Sequence, residues 1–403
     1  MTWRISHRAR AIKPSPTISV AEKAMNLKRQ GVNVLNFGVG EPDFSTPEYI
    51  KNAGHQAITD NFTRYTATKG IPELREAICE KLLNENGLTY NPEDILVSPG
   101  AKASIFQILM TICDPRDEVL IPSPYWVSYT SQVEMADAFP VLMPTRESRD
   151  IHSFKIKPEQ LEDTIQNCSN PKALILNSPN NPTGTVYRRE QLEGIAEVCL
   201  KHNLLIISDE IYEKLIYDGR EHISIASLSP EMQEQTVVIN GVSKAYSMTG
   251  WRLGYAAGPK EIMTRAARIQ SHLSSSVCSI AQKAAVAALT QDDGSVENMR
   301  IEFDKRRKYM VEGLNKIRNI TCYMPKGAFY CMPNVSFYLF NNKKGINSTV
   351  ELCEYLLDKY HLALVPGQAF GALVYVRFSY AASMENITEG LKRFEEGLLS
   401  LNK

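Results

Sequence analysis

The stretch ALILNSPNNPTGTVYRREQLEGIAEVCLKHNLLIISDEIY (residues 173–212) decides the fold. It opens on an apolar run, ALILN (173–177), of the kind found in a strand buried on both faces. Asn177 to Gly184 is turn chemistry, rich in Asn, Pro and Gly. In the next segment, EQLEGIAEVCLK, Leu192, Ile195, Ala196 and Cys199 fall on one face at helical spacing. LLIIS (204–208) is a second buried run, and it ends on an acid, Asp209. Strand, helix, strand in that order requires a crossover connection, so the two strands run parallel.

The same alternation extends outward. ILVS (95–98), EVLI (118–121) and VVIN (237–240) are further buried runs. After Gly70-Ile71-Pro72, ELREAICEKLLNEN sets Leu74, Ala77, Ile78 and Leu82 on one face, with Pro72 suited to a first turn and Gly87 to a stop. The expectation is an α/β fold: a mainly parallel sheet sandwiched by helices in a large domain over 46–290. A long charged helix, VENMRIEFDKRRKYMVEGLNKI (296–317), then short strands and a last amphipathic helix predict a smaller α+β domain over 291–403. The segment 1–45 is expected to pack against it.

Composition bounds the function. The 403 residues are 43% hydrophobic and 22% charged, ordinary for a globular chain. Forty-five basic and 45 acidic residues give zero formal net charge, which argues against a nucleic-acid or anionic-membrane partner. No apolar run approaches the length of a membrane span. The basic N-terminus, MTWRISHRARAIKPSP, has no apolar core, so it is not a secretory signal; a transit peptide is the weaker alternative. The eight cysteines contain no C-x-x-C pair and sit mostly among apolar neighbours, as free thiols in a reducing cytoplasm do. The seven histidines form no ligand-spaced cluster, and no structural metal is expected.

In an open α/β sheet, ligands bind beyond the carboxyl ends of the strands. Five strand exits carry polar or aromatic groups: Pro99-Gly100-Ala101-Lys102, Pro122 to Trp126, Ser178 to Gly184, Asp209 to Tyr212, and Gly241 to Tyr246. Each alone has an ordinary reading as a turn, a cap or a surface side chain; five on one edge describe a site. Lys244 follows a buried strand with Ser243 beside it. Desolvation there lowers an ammonium's pKa and makes the amine a nucleophile toward an aldehyde. Asp209 ends an apolar strand and needs a cationic partner, such as a protonated pyridine nitrogen. Tyr212 can donate to a ring oxygen. Gly100, Ala101 and Lys102 lead into the helical run SIFQILMTI, whose free N–H groups favour phosphate. Ser243 and Arg252 add donors for the same dianion. Trp126 offers a flat aromatic face.

These residues sit in recognisable surroundings. VINGVSKAYSMTGWRLGYAAG (238–258) resembles the lysine motif of class I pyridoxal-phosphate-dependent aminotransferases, of fold type I. NSPNNPTG (177–184), ISDEIYEKLIYDG (207–219), FGVGEPDFSTP (37–47), RYTATKGIPELREAI (64–78), VPGQAFG (365–371) and VYVRFSYA (374–381) resemble other segments of that family, in family order. The likeness is nearest to the bacterial aspartate and aspartate/prephenate aminotransferases.

The resemblance implies roles. Lys244 would join the aldehyde of pyridoxal 5'-phosphate and later carry a proton. Asp209 would pair with the pyridine nitrogen, and Tyr212 and Asn181 with the phenolic oxygen. Gly100, Ala101, Lys102, Ser243 and Arg252 would hold the phosphate. Tyr65 would reach the phosphate of a neighbouring subunit, which implies a homodimer with shared sites. Trp126 would stack on the ring and, with Asn181, border the substrate. Arg377 would grip the substrate α-carboxylate, and Gly40 would contact it through its backbone. Lys13 is the candidate cation for a second, distal carboxylate.

The expected reaction moves an amino group from an L-amino acid, with aspartate the first choice, to a 2-oxo acid such as 2-oxoglutarate. Prephenate, aromatic amino acids and alanine are the alternative substrates. A β-lyase or an aminocyclopropane-carboxylate synthase is the alternative chemistry on this fold. A regulator would need an added DNA-binding module, and the first 45 residues show no helix-turn-helix pattern.

Overall fold

The computed structural model describes residues 3–6, 9, 10, 12, 16–147 and 153–402. Its centre is a seven-stranded sheet of β1 (Ile95–Ser98), β2 (Glu118–Ser123), β3 (Phe139–Pro144), β4 (Pro171–Asn177), β5 (Leu205–Asp209), β6 (Thr236–Gly241) and β7 (Gly254–Ala257), in the order β1-β7-β6-β5-β4-β2-β3. All pairs are parallel except those of β7, which runs antiparallel to both β1 and β6. The five apolar runs form β1, β2, β4, β5 and β6, of which β1 is an edge strand paired antiparallel with β7, and their side chains are almost fully buried. Burying an Ile, Leu or Val of this kind contributes about 1.5–3 kcal/mol.

Two strands lie outside those five runs. Residues 254–257 read GYAA, with no β-branched side chain to mark a strand. Phe139–Pro144 is an edge strand that is half exposed and carries two prolines, which an edge tolerates because one side needs no donors. The helices form where their apolar spacing predicts: Pro72–Asn86, closed by Gly87 in the left-handed conformation at φ 68°, Ala101–Ile112 and Arg189–Lys201.

The C-terminal part builds a second core. The helices Ser295–Lys316, Thr349–Tyr360 and Met384–Ser400 pack with short strands around Phe303, Phe329, Phe378 and Phe394. Val376–Ser379 pairs antiparallel with both Tyr330–Cys331 and Val365–Pro366. The N-terminal part joins this core: Leu35–Asn36 pairs in parallel with Leu362–Ala363. Among the described residues no helix is long and apolar enough to cross a membrane. All eight cysteines are free; four are buried and Cys278 is exposed.

Candidate active site

Register brings the strand exits together. Asn177 lies beside Asp209, and Asp209 beside Ile239. Gly254 pairs with both Ser98 and Gly241. A Cβ on Gly254 would lie 2.2 Å from the Ala101 nitrogen, so only glycine lets β7 touch the start of the helix Ala101–Ile112. Gly100 caps that helix at φ +91°, and a Cβ there would strike the Arg252 guanidinium at 2.4 Å. The result is a pocket of backbone N–H groups, the Ser243 hydroxyl and Arg252, open to an anion the size of phosphate.

A cleft of about 920 Å³ opens over this edge. Gly40, Ala101, Lys102, Trp126, Asn181, Asp209, Tyr212, Ser243, Lys244, Arg252 and Arg377 all line it. Gly100 sits just behind, against Arg252. Tyr65 does not line this cleft and is 91% exposed. Lys13 lies outside the described residues.

Lys244 donates to the Gly40 carbonyl at 2.5 Å, and its ammonium lies 6.0 Å from the centre of the Tyr212 ring. Burial first, then the positive charges of Arg252 and Arg377, outweigh Glu41 and lower its pKa to about 8. Asp209 is 4% exposed. It accepts from the Tyr129 hydroxyl at 2.6 Å and from the Ile211 N–H at 3.3 Å. Burial pushes its pKa up to about 6 in spite of those donors. No ion pair joins it to a cation among the described residues. A buried carboxylate in this state calls for a cationic partner.

Arg377 is 2% exposed. It donates to the Asn181 side chain at 3.0 Å and to the Gly38 carbonyl at 2.8 Å. Its Nε is buried without a hydrogen-bond partner, and the residue lines the cleft, where a guanidinium can take a carboxylate. Lys102 places its ammonium 4.9 Å from the centre of the Trp126 ring. The residues present therefore fit a group that combines a phosphate, a basic ring nitrogen and an aldehyde.

Several lining residues had no local sequence signal. Tyr129 is a helix residue 80 positions from Asp209. Tyr330 hydrogen-bonds Tyr212, oxygen to oxygen, at 3.0 Å. Glu41 accepts from Thr249 at 2.8 Å. Met25 and Lys28, on the helix Pro16–Arg29, reach the cleft mouth. Only an acid as deeply buried as Asp209 could have prompted a search for a donor such as Tyr129.

Comparisons with known proteins agree with this geometry. Residues 32–394 match the family model described as aminotransferase class I and II. The chain is 45% identical to an aspartate aminotransferase of Geobacillus stearothermophilus, over 98% of this chain and 99% of that protein. It is 44% identical to a probable aspartate/prephenate aminotransferase of Aquifex aeolicus, over 98% of each. The solved aspartate aminotransferase of Thermus thermophilus with maleate superposes at a TM-score of 0.91 and 41% identity, covering 98% of this chain and all of that one.

Proposed function

Because the chain belongs to the class I and II aminotransferases, we propose that its cleft binds pyridoxal 5'-phosphate and transfers the amino group of aspartate to 2-oxoglutarate. The observation that carries this reading is the convergence of three unmet groups in one cleft. They are an amine with its pKa at about 8, a buried acid without a cation, and an arginine with an unpaired buried Nε.

When bound, the cofactor supplies an aldehyde for the substrate amine and a ring that withdraws electrons from the substrate Cα. The chain supplies the rest. The Lys244 amine would hold the aldehyde. As a free base, its Nζ would take and hold the α-proton. Asp209 holds the proton on the ring nitrogen, and Tyr129 keeps that carboxylate oriented. Tyr212 and Asn181 donate to the phenolic oxygen. Gly100, Ala101, the backbone of Lys102, Ser243 and Arg252 would hold the phosphate, and Tyr65 would reach that of a second copy, so the working unit would be a homodimer. Trp126 covers the ring, and Arg377 takes the α-carboxylate beside Gly40.

The distal carboxylate of aspartate needs another cation. Among the described residues, the remaining basic side chains of the cleft are Lys28 and Lys102. Lys102, over Trp126, is the better placed; Lys13 is the second candidate. The 46–290 segment would then be the cofactor-binding unit, and 291–403 with 1–45 the smaller one. The free cysteines suit a cytoplasmic enzyme.

A panel of amino donors with 2-oxoglutarate tests the substrate. Aspartate should lead, and prephenate should be tried as acceptor, since relatives named for both activities are as similar as those named for one. Negligible aspartate turnover beside fast alanine or tyrosine turnover would reject the choice. Product that forms without a second oxo acid would point to a lyase instead. Lys244→Ala should abolish both turnover and the visible absorbance of the loaded protein; survival of either removes Lys244 from its role.

A further inference from the structure

Tyr330 is fully buried and touches two of the groups on which the reaction depends. Its strand, Tyr330–Cys331, pairs antiparallel with Val376–Ser379, and Tyr330 stands opposite Ser379. Arg377 is two residues from Ser379, so it lies on the same face of the ladder, diagonal to Tyr330. The Tyr330 ring is 4.5 Å from the Arg377 guanidinium carbon, with Phe370 at 4.9 Å. The Tyr330 hydroxyl is 3.0 Å from that of Tyr212, and the two rings meet edge to face at 5.8 Å. Gly40 closes over the same hydroxyl: a Cβ there would lie 3.2 Å from the Tyr330 oxygen. The charged and titratable groups around Tyr330 are Arg377, Tyr212 and Glu41.

We propose that Tyr330 is a positioning residue with two separable duties: its ring seats Arg377 for the substrate α-carboxylate, and its hydroxyl aims the proton of Tyr212. The inference rests on the functional reading above. Tyr212 has one proton. If it is given to the phenolic oxygen of the cofactor, the bond between the two tyrosines can run only from Tyr330 to Tyr212. A hydroxyl that accepts a hydrogen bond is a stronger donor in turn. The ring acts independently. Nη1 and Nη2 of Arg377 are held in its plane by Asn181 and Gly38. An aromatic face against the guanidinium then fixes its tilt where it lines the cleft.

Tyr330→Phe and Tyr330→Met separate the duties. Tyr330→Phe keeps the ring and removes the hydroxyl. A donor on the phenolic oxygen draws off the negative charge that holds a proton on the Lys244 nitrogen of the loaded enzyme. Weakening that donor should raise the pH midpoint of the visible band by about 0.2–0.6 unit. The binding constant of a non-reacting dicarboxylate, read from the same band, should stay within about twofold of the parent's, and kcat should fall more than KM rises. Tyr330→Met fills the volume without a ring. It should show the same midpoint shift and also weaken dicarboxylate binding by about three- to tenfold.

A midpoint unmoved in Tyr330→Phe overturns the hydroxyl duty, and unchanged dicarboxylate binding in Tyr330→Met overturns the ring duty. Tyr330→Phe preserves the packing, so it carries the test even where Tyr330→Met does not fold. Lys244→Ala run alongside separates the two levels. A visible band that survives there sinks the reading of the cleft. A band lost there, with the midpoint unmoved in Tyr330→Phe, sinks only the hydroxyl duty of Tyr330.

Discussion

Asp209 and Glu210 are neighbours in the chain and both are buried, at 4% and 1% exposed, yet they end in opposite electrostatic circumstances. Asp209 faces the cleft with a phenol and one backbone N–H for company. Glu210 turns the other way, into a closed ion cluster. It accepts from Ser208 at 2.8 Å and Ser224 at 2.7 Å and pairs with His222 at 2.7 Å. Glu213, three residues on, pairs with the buried Lys81 and accepts from Asn86 at 2.8 Å. Burial pushes the Glu213 carboxyl up, but Lys81, His222 and Asn86 outweigh it and bring the pKa down to about 2. Ligand atoms of Glu210, Glu213 and His222 lie within 4.8 Å of one another, a spacing that suits a metal, and Lys81 pairs with Glu213. The difference teaches how to tell a site from a scaffold. Behind the sheet edge Glu210 and Glu213 have ion-pair partners; at the cleft, among the described residues, Asp209 has none.

That contrast can be broken by mirror-image substitutions. Asp209→Asn should lower turnover by about 10²–10⁴ while the ligand-free protein melts no lower than the parent, because an uncompensated buried carboxylate has been removed. A clear loss of ligand-free stability would make Asp209 part of the scaffold. Glu213→Gln should do the reverse. It leaves the buried Lys81 ammonium with Glu85 at 3.5 Å as its remaining carboxylate and should cost about 3–5 kcal/mol in denaturant unfolding, with the specific activity of the folded fraction retained. Unfolding at the parent's midpoint would show that the cluster holds nothing together.

Smaller effects sharpen the comparison. Tyr129→Phe removes a charge-assisted bond worth about 1.5–3 kcal/mol to the ionised form of Asp209. Asp209 holds a protonated ring nitrogen only when ionised, so affinity is present above its pKa and is lost as pH falls through it. Without Tyr129 that pKa, about 6 in the parent, rises, and reloading of the ligand-free protein with cofactor should begin to fail at a higher pH. Reloading curves that coincide with the parent's would refute the tuning. In the parent, the rate of loading should follow the neutral fraction of Lys244. With a pKa near 8, it should rise about tenfold between pH 7 and pH 9 and then level off. A rate still climbing toward pH 10 would mean that the amine is not desolvated.

Much of this was legible from residues alone, for local reasons. Buried strands need continuous apolar runs, and five such runs mark five of the seven strands of the sheet. Strand exits need turn chemistry, so Lys244, Asp209, Asn181 and Ser243 stand where a reader looks for ligands. The strand Gly254–Ala257 was not legible, because its identity as a strand comes from the pairing of Gly254 with Ser98 and Gly241 rather than from its own side chains. The edge strand Phe139–Pro144 carries the mark of its exposed position, not of a core.

The covalent order of the chain by itself determined which chemistry was available: an amine, an acid, an arginine and a phosphate cradle, each set after a strand or within one by patterns that span a few residues. Only the folded arrangement decided which of them lack partners. Whether Asp209 meets a phenol or a lysine, and whether Arg377 keeps a free Nε, depends on Tyr129 and Tyr330, which approach from helices and strands far away in sequence. Solvation and charge pairing are sums over neighbours in space, and a linear pattern contains no such sum.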